Sequence, residues 1–313
     1  MKVLVTGASG FIGRHLIRHY VDAGATVIGW SRQPQPKDFV VTTVDWRVVN
    51  MLDPEAVAMA LKDDAPEVIF HLSAQCLPRV SWQDPVGTFD SNVMGTINLL
   101  EAMKAHRAQA RLVLTSSSAI YAPHPGNRPI QEDHPTKGAS LYAVSKLAQE
   151  MTVRLWGRKY DLTMITVRPF FVIGPEKRGD VCADFAQRVV RLEREGGDVM
   201  RVGNLEAVRD FLDIADAVSA FTLVAEKGKP DEVFNIARGS GWAVRDVLET
   251  YRSMAKVSFR VEVDQSLVRR LDEPVKIGDP ARLTALGWSP RVPIEEALER
   301  ILNYWRQVDD EEG

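Results

Sequence analysis

The chain has 313 residues, of which 45% are hydrophobic and 26% are charged, and its formal net charge is −3. A chain of this length folds as one large domain or two modest ones, and its hydrophobic content supplies the core that a disordered protein lacks. The nearly balanced charge argues against a protein whose whole surface binds nucleic acid or an anionic membrane.

The cysteines and histidines do not form the pattern of a disulfide scaffold or a metal site. Cys76 and Cys182 are far apart and lack CxxC or histidine spacing, which fits a reducing compartment. His15 and His19 share a helical face without a third ligand nearby, so we expect no bound metal. No apolar run approaches the length of a membrane span, and the first residues enter a strand-like run without a signal-peptide pattern. We therefore expect a cytoplasmic protein with no membrane partner.

Short apolar runs alternate with longer amphipathic segments along the first half of the chain. In chain order, the predicted strands are KVLVTG, TVIGW, EVIFHLS, RLVLTSSS and LTMITVRP, which are rich in β-branched residues and bounded by Gly, Pro or Ser. The predicted helices between them are RHLIRHYVDAG, DPEAVAMALKD, FDSNVMGTINLLEAMKAH and LYAVSKLAQEMTVRLWGRKY. Strands that alternate with helices form βαβ units, so the sequence predicts an α/β fold with a Rossmann-like, doubly wound parallel sheet.

The pattern changes after about residue 170. Pro and Gly interrupt the stretches RPFFVIGPEKRGD, VGNLEAVRDF and RVPIEEALERILNYWR, which predict a smaller C-terminal α+β lobe. The segment near 209–237 instead has the pattern of a return into the main sheet. We therefore predict a main domain over 1–168 with this return segment, and a smaller lobe over 169–208 and 238–313.

The segment VLVTGASGFIGRHL places Gly7, Gly10 and Gly13 directly after a predicted strand and at the start of a predicted helix. Gly7 permits a sharp turn, Gly10 lets the backbone approach a pyrophosphate, and Gly13 lets the helix and strand pack closely. The N–H groups of the helix N-terminus favour an anion at this point. A turn that merely requires glycine is the alternative, but strand, turn and helix together favour a dinucleotide-binding site.

The end of the second predicted strand indicates which dinucleotide binds. Proteins that bind NAD tend to carry an acidic residue there for the ribose hydroxyls, whereas this chain has Ser31 and Arg32. An arginine complements a 2′-phosphate, so the sequence favours NADP(H) over NAD(H), with a solvated Arg32 as the alternative. Asn50 and Met51 are expected to flank the adenine. The other expected cofactor contacts are Phe11, Ile12, Leu72, Ser73, Ala74, Thr115, Tyr142, Lys146 and Arg168.

Tyr142 and Lys146 lie one turn apart on a predicted helix and therefore share a face. The ammonium of Lys146, together with the positive charge of an oxidised nicotinamide, is expected to lower the pKa of the Tyr142 phenol, so that the phenol exchanges a proton near neutral pH. Ser117, in SSSAIY at the end of a predicted strand, is expected to orient a substrate oxygen. The alternative is a half-buried helix tyrosine beside serines that simply close a strand, and the glycine turn upstream argues against it.

These motifs, in this order, resemble the extended short-chain dehydrogenase/reductase family, which includes the NAD-dependent epimerases and dehydratases. TGASGFIG, HLSAQ, LTSSSAIYA, YAVSKLAQE and RPFFVIGP carry the resemblance across nearly the whole chain. Within the family, ADFAQRVVRLE and VGNLEAVRDFLDIADAV are most similar to reductases of the GDP-4-keto-6-deoxy-D-mannose type, which form GDP-D-rhamnose. The resemblance implies that 1–168 binds the dinucleotide and that the smaller lobe binds a nucleotide sugar, with a GDP-hexose favoured.

The resemblance also implies a set of substrate contacts. These are Gln75, Ser117, Ser118, Phe171, Arg209 and Arg270. Arg209 and Arg270 are expected near the ribose and diphosphate, because guanidinium groups bind phosphate through two parallel hydrogen bonds. Either arginine could instead form a surface salt bridge. Phe171 stands where many relatives have Asn, which removes one polar contact and leaves the sugar open.

The resemblance assigns catalysis to Ser117, Tyr142 and Lys146, and it implies dehydration, epimerisation or reduction. Dehydratases of the family have a Thr-Asp-Glu run, whereas this chain has no acidic residue at 118 or 119. Position 118 also lacks the cysteine of relatives that epimerise before they reduce. The remaining candidates are an NAD(P)H-dependent reductase of a 4-keto-6-deoxyhexose, which Arg32 favours, and a UDP-hexose 4-epimerase that holds NAD tightly. A non-catalytic dinucleotide sensor is less favoured, because such proteins usually lose the tyrosine or the lysine.

Two predicted helices, NVMGTINLLEAMKAH and LYAVSKLAQEMTVRLWGRKY, are apolar on more than one face. In relatives the corresponding helices pair with their copies in a four-helix interface, so the resemblance implies a homodimer. The alternative is one broad core-facing surface on each helix.

Overall fold

The computed structural model describes residues 1–106, 109–124, 126, 128–267 and 273–311. Its strands, in chain order, are β1 (Lys2–Thr6), β2 (Thr26–Ser31), β3 (Val44–Val48), β4 (Val68–His71), β5 (Arg111–Thr115), β6 (Met164–Pro169), β7 (Phe171–Ile173), β8 (Val199–Val202), β9 (Val208–Arg209), β10 (Phe211–Asp213), β11 (Val233–Ile236), β12 (Trp242–Ala243), β13 (Arg260–Val263) and β14 (Val275–Lys276). Its α-helices are α1 (Phe11–Asp22), α2 (Pro54–Asp64), α3 (Pro78–Gln83), α4 (Pro85–Phe89), α5 (Gly95–Ala105), α6 (Leu141–Tyr160), α7 (Val181–Glu195), α8 (Ile214–Lys227), α9 (Val244–Met254), α10 (Ala281–Ala285) and α11 (Ile294–Glu311).

Seven parallel strands form the main sheet in the order β11-β6-β5-β4-β1-β2-β3. The chain moves outward from β1 to β2 and β3, and then crosses to β4 on the other side of β1. This reversal opens a crevice between β1 and β4 at the carboxyl ends of the strands. Val3 of β1 pairs with Val27 of β2 and with Val68 of β4, so β1 is hydrogen-bonded on both sides. The sheet confirms the predicted Rossmann-like, doubly wound fold.

Helices cover both faces of the main sheet. Successive residues of each strand point to opposite faces, so each strand contributes side chains to two cores. On β1, Val5 packs into a core with residues of α1 and α8, such as Leu16 and Phe221. The neighbouring Leu4 packs into the opposite core with residues of α2, α5 and α6, such as Leu99. The strands are therefore apolar on both faces, as a sheet sandwiched between helix layers requires.

The smaller lobe has its own core. Three short sheets, β10-β7, β12-β9-β14 and β13-β8, lie beside the helices α7, α9 and α11. Phe185, Tyr251, Leu298 and Trp305 from these helices are buried together. The strand β11 follows α8 and returns to the edge of the main sheet beside β6. Within the described residues, no helix is long and apolar enough to span a membrane, and no group of acidic, histidine and cysteine side chains is placed to hold a metal ion.

Candidate active site

A cavity of about 580 Å³ opens at the carboxyl ends of the central strands of the main sheet. Parallel strands bring their carboxyl ends to one edge, so segments that are far apart in the sequence meet here. The predicted site residues that line the cavity are Gly7, Gly10, Phe11, Ile12, Gly13, Ser31, Arg32, Met51, Leu72, Ser73, Ala74, Thr115, Ser117, Tyr142, Lys146 and Phe171. The cavity thus brings together the glycine turn, the end of β2 and the Ser–Tyr–Lys group.

The glycine turn packs tightly against the loop after β4. Gly7 has a φ of 69°, in the left-handed region that favours glycine. A Cβ atom on Gly7 would lie 2.8 Å from the Ser73 backbone nitrogen, and one on Gly13 would lie 2.6 Å from the Gly7 oxygen. The helix α1 begins at Phe11, no side chain caps its N-terminus, and its first turn holds no acidic residue. Its uncapped N–H groups fit the pyrophosphate of a dinucleotide.

The residues expected near the adenosine lie at the end of β2 and after β3. Ser31 is buried, whereas the Arg32 side chain is exposed, and both line the cavity. Met51 is 6% exposed and also lines it. Asn50 does not line the cavity. Its exposed side chain folds over its own loop, where Oδ1 accepts a hydrogen bond from the Leu52 N–H at 3.1 Å.

The Tyr142 phenol and the Ser117 hydroxyl are neighbours in the cavity wall. Ser140 caps α6 by accepting from the Ala143 N–H at 3.1 Å, which places Tyr142 in the first turn of the helix. Ser117 follows β5, and its Oγ accepts from the Ala119 N–H at 3.1 Å at the start of a short 3₁₀ turn. The two hydroxyl groups therefore meet because a helix start and a strand end converge on the same edge.

The expectation that Lys146 lowers the pKa of Tyr142 is wrong for the protein groups alone. Burial raises the pKa of Tyr142 to about 12, and the contact with Ser117 offsets this only in part. Burial also lowers the pKa of Lys146 to about 8. The Nζ atom of Lys146 donates instead to the Thr115 carbonyl at 2.6 Å and to Gln149 Oε1 at 2.5 Å. The phenol is therefore neutral, which is the form that donates a proton.

Arg168 does not line the cavity, so the structure does not match its expected contact with the cofactor. The residue is 4% exposed, and its guanidinium binds both carboxylate oxygens of Glu150, at 2.5 and 3.1 Å. Its Nη1 also donates to the Tyr121 hydroxyl at 2.9 Å and to the Glu132 carbonyl at 2.8 Å. A buried guanidinium needs such partners, so Arg168 joins β6 to α6 and is not available to a ligand.

Two predicted substrate contacts, Gln75 and Ser118, do not line the cavity. Gln75 folds back on its own loop, where its Nε2 donates to the Leu77 carbonyl at 3.0 Å and to Thr88 Oγ1 at 3.1 Å. Ser118 is 6% exposed and begins the 3₁₀ turn after β5. Neither side chain lines the cavity, so the geometry gives neither one a route to a ligand there.

A second cavity, of about 480 Å³, lies in the smaller lobe and adjoins the first. The two cavities share Phe171, Lys177, Gly179 and Asp180. Arg209 lines the second cavity, is 8% exposed and lies over the Phe171 ring at 5.4 Å. Arg270, the other arginine expected at the diphosphate, falls outside the described residues.

The structure adds residues that the sequence did not single out. Further cavity-lining residues are Ser9, Trp30, Cys76, Lys177, Arg178 and Asp180. Cys76 directly follows the HLSAQ segment, so its place in the sequence could have predicted that it lies at the cavity. Asn92 lies in a π-helical turn over Asp90–Met94, where its Oδ1 accepts from the Gln75 N–H at 2.7 Å and its Nδ2 donates to Ser145 Oγ at 2.9 Å. Asn92 thus ties the loop after β4 to α6, although its sequence resembles an ordinary helix.

Comparison with known proteins identifies the family. Residues 3–237 match the NAD dependent epimerase/dehydratase family. The chain is also 30% identical over 315 residues to the GDP-6-deoxy-D-mannose reductase of Pseudomonas aeruginosa, with 99% of each chain covered. The chain belongs to the NAD-dependent epimerase/dehydratase family. It is an NAD(P)-dependent oxidoreductase of the extended short-chain dehydrogenase/reductase group, as the motifs predicted.

Solved structures of epimerase/dehydratase proteins have the same fold. A UDP-glucose 4-epimerase of Thermotoga maritima, crystallised with UDP-glucose, has a TM-score of 0.90 and 27% identity, covering 98% of this chain and 99% of that one. The protein RMD of Pseudomonas aeruginosa, complexed with NADPH, has a TM-score of 0.87 and 29% identity over the same shares of the two chains. The chain is therefore a nucleotide-sugar reductase or epimerase that uses a nicotinamide dinucleotide.

Proposed function

We propose that this protein is an NADPH-dependent reductase of a nucleotide-linked 4-keto-6-deoxyhexose, with GDP-4-keto-6-deoxy-D-mannose as substrate and GDP-D-rhamnose as product. The observation that carries the proposal is the full-length similarity to a GDP-6-deoxy-D-mannose reductase, in a chain whose Tyr142 is held neutral beside Ser117. Reduction of a ketone needs a proton donor at the carbonyl oxygen, and a buried phenol with a raised pKa is already protonated.

The proposed roles of the site residues follow from this starting state. A bound NADPH supplies the hydride for C4 of the keto sugar. Tyr142 gives its proton to the oxygen that becomes the C4 hydroxyl, and Ser117 donates a hydrogen bond to the same oxygen as negative charge develops on it. The ammonium of Lys146 stabilises the phenolate that remains on Tyr142. One hydride and one proton together convert the carbonyl into a hydroxyl.

The preference for NADPH rests on the end of β2. Arg32 is exposed at the cavity, where proteins that bind NAD tend to have an acidic residue. A guanidinium pairs well with the 2′-phosphate of NADP(H) through two parallel hydrogen bonds. The NADPH complex of RMD supports the same choice for this chain, with NAD(H) as the alternative.

The substrate is proposed to occupy the second cavity, with its hexose directed toward Tyr142. The segments 169–208 and 238–313 then form the sugar-nucleotide lobe, and 1–168 with the return near 209–237 forms the cofactor domain. Arg209 lines the second cavity, which supports the proposal that its guanidinium contacts the diphosphate. Phe171 lines both cavities, which suits contact with the hexose between them.

A UDP-hexose 4-epimerase is the second candidate, and the TM-score of 0.90 to such an enzyme favours it. Epimerisation starts with the opposite step, since Tyr142 must first accept a proton from the C4 hydroxyl. The raised pKa of Tyr142 means that the protein groups alone keep the phenol protonated, which opposes that first step. The choice of the reductase rests instead on Arg32, which is exposed at the cavity and favours exchangeable NADPH over a tightly held NAD.

The protein is also proposed to form a homodimer through α5, α6 and the short helices beside them. The helices α3, α4 and α5 all pack against α6. The large apolar side chains that this region leaves exposed are Trp82, Val86, Met94, Val144, Met151 and Leu155. Exposed apolar side chains on packed helices suit an interface, and two copies of α5 and α6 would form a four-helix bundle.

The test is a turnover assay with purified protein. We expect NADPH to be consumed when GDP-4-keto-6-deoxy-D-mannose is added, with slower consumption of NADH. UDP-glucose and UDP-galactose should not interconvert in the presence of NAD. Interconversion of the UDP-hexoses without NADPH consumption by the keto sugar would give the function to the epimerase instead.

A further inference from the structure

The side chain of Lys146 is held by two neutral acceptors. An ammonium has three N–H donors and no acceptor. One donor reaches the Thr115 carbonyl at 2.6 Å, and a second reaches Gln149 Oε1 at 2.5 Å. Lys146 also lines the 580 Å³ cavity, so the third donor is left for that side. Gln149 has 0% exposure and lies one helical turn after Lys146 on α6.

The orientation of the Gln149 amide is fixed by counting protons at Thr96. The Thr96 hydroxyl has a single proton, which it donates to the Asn92 carbonyl at 2.7 Å. The contact between Thr96 Oγ1 and Gln149 Nε2, at 2.7 Å, must then be a hydrogen bond that Gln149 donates. The amide oxygen therefore faces Lys146. A flipped amide would direct N–H groups at the ammonium, which has no acceptor for them.

The hydrogen-bond network continues from Thr96 to the loop after β4, which lines the cavity. His71 Nε2 lies 2.9 Å from Thr96 Oγ1, so this nitrogen carries the proton and donates it. His71 Nδ1 is then the acceptor, and the Thr6 hydroxyl donates a hydrogen bond to it at 2.8 Å. Thr6 Oγ1 in turn accepts from the Ser73 N–H at 3.2 Å. A buried row of neutral groups thus runs from the loop after β4 to Gln149.

The charged and titratable groups around Lys146 come from several elements. Glu150, the next residue along α6 after Gln149, is engaged in the pair with Arg168. Cys76, on the loop after β4, and Tyr142, on α6, share the cavity with Lys146. His71, on β4, is buried and neutral, because burial lowers its pKa to about 3. Among the described residues, no carboxylate forms an ion pair with Lys146, so its positive charge is not neutralised by a direct partner.

We propose that Gln149 is a positioning residue for the Tyr142–Lys146 pair, because its amide oxygen anchors the Lys146 ammonium while leaving the charge and one donor for the cavity. This inference rests on the proposed role of Lys146 in reduction. An apolar residue at 149 would leave a buried N–H donor without an acceptor and make the ammonium less stable. A carboxylate at 149 would stabilise the ammonium as an ion pair and neutralise its charge.

The two substitutions therefore move the titration of Lys146 in opposite directions. Burial lowers the pKa of Lys146 to about 8, so an activity that needs its ammonium is lost as the pH rises through that value. In Gln149→Met the alkaline limb of the profile of kcat/KM against pH should move down by about one pH unit, since one hydrogen bond to a charged group is lost. In Gln149→Glu the limb should move up by a similar amount, and the rate below the limb should fall.

Thr152→Val is the matched control, because Thr152 lies on the same helix and donates only within it, to the Ala148 carbonyl at 2.8 Å. Its alkaline limb should stay in place. If Gln149 had only a structural role, Gln149→Met and Gln149→Glu would both lower the activity without moving the alkaline limb. That result would overturn the proposal. If Gln149→Met does not fold, Gln149→Glu keeps the length and an acceptor, so an unmoved limb in that variant alone is sufficient to overturn it.

A second readout separates this proposal from the proposed function. The ε-carbon resonance of Lys146 in protein labelled with [ε-¹³C]lysine, assigned by its loss in Lys146→Met, reports the titration without any substrate. We expect its midpoint to fall in Gln149→Met and to rise in Gln149→Glu. If the keto sugar is not turned over but the midpoints move in this way, the proposed substrate fails and the anchoring by Gln149 stands. Unmoved midpoints in an active enzyme would overturn the anchoring by Gln149 and leave the proposed function standing.

Discussion

At the scale of single residues, the proposed reduction depends on the neutral phenol of Tyr142, whose pKa is raised further by burial. Tyr142 is 8% exposed, and desolvation raises its pKa to about 12 although the Ser117 hydroxyl is its neighbour. The Lys146 ammonium is anchored by Thr115 and Gln149 and does not supply the phenol with a close hydrogen bond. In the proposed mechanism the ammonium acts after proton transfer, when it stabilises the phenolate.

Tyr142→Phe removes the proton donor and little else, because the ring remains to fill the same space. We expect kcat to fall by about 10²-fold or more while the affinity for NADPH stays nearly unchanged. Steady-state kinetics and fluorescence titration with NADPH measure the two quantities. Tyr160→Phe, at the far end of the same helix, is the control and should retain the full rate. An unchanged rate in Tyr142→Phe would remove this residue from the mechanism.

The sequence was sufficient to find the residues whose position is fixed by a strand end. The glycine turn and Ser117 meet at the cavity because parallel strands deliver their ends to one edge, and Tyr142 and Lys146 join them from the start of α6. Arg168 also ends a strand, yet it pairs with Glu150, and no local pattern tells a buried ion pair from a ligand contact. Gln149 was missed because its role depends on Thr96, which lies 53 residues away.

At the scale of elements, α6 has a buried face at the candidate active site and an exposed apolar face at the proposed dimer interface. Its buried face carries Tyr142, Lys146 and Gln149, whereas Met151 and Leu155 on another face are 56% and 59% exposed. A charge on the exposed face should therefore disturb the proposed dimer and leave the monomer folded.

Met151→Lys is the sharpest test of the dimer, because a lysine in a paired apolar interface loses hydration without gaining a partner. Light scattering at micromolar concentration should give a dimer for the unmodified protein and a mass near 34.9 kDa for the variant. Val263→Lys is the control, since Val263 is also 56% exposed but lies on β13 in the smaller lobe. A monomeric unmodified protein would contradict the proposed interface.

The elements themselves were predictable to different degrees. The prediction for α6, over 141–160, agrees with the structure, because an N-cap serine and a long apolar period mark it. The strand β3 was missed, since Val44–Val48 is an edge strand with a half-exposed, partly charged sequence. The π-helical turn at Asp90–Met94 was predicted as ordinary helix, because the extra residue in the turn leaves no mark on the apolar pattern.

At the scale of the whole molecule, the main sheet and the smaller lobe contribute two adjoining cavities. The cavity of about 580 Å³ lies on the main sheet and the cavity of about 480 Å³ lies in the smaller lobe. Phe171, Lys177, Gly179 and Asp180 line both. Under the proposed function, the dinucleotide would occupy the first cavity and the nucleotide sugar the second, with the reacting carbons near Tyr142.

The most direct measurement follows the hydride. The purified protein is supplied with GDP-4-keto-6-deoxy-D-mannose and NADPH that carries deuterium at both C4 positions of the nicotinamide. We expect one deuterium at C4 of the hexose in each product molecule, with one NADPH oxidised for each, as measured by NMR and mass spectrometry. A product without deuterium at C4, or a UDP-hexose that inverts at C4 while the added NADPH is left unoxidised, would contradict the proposed reduction.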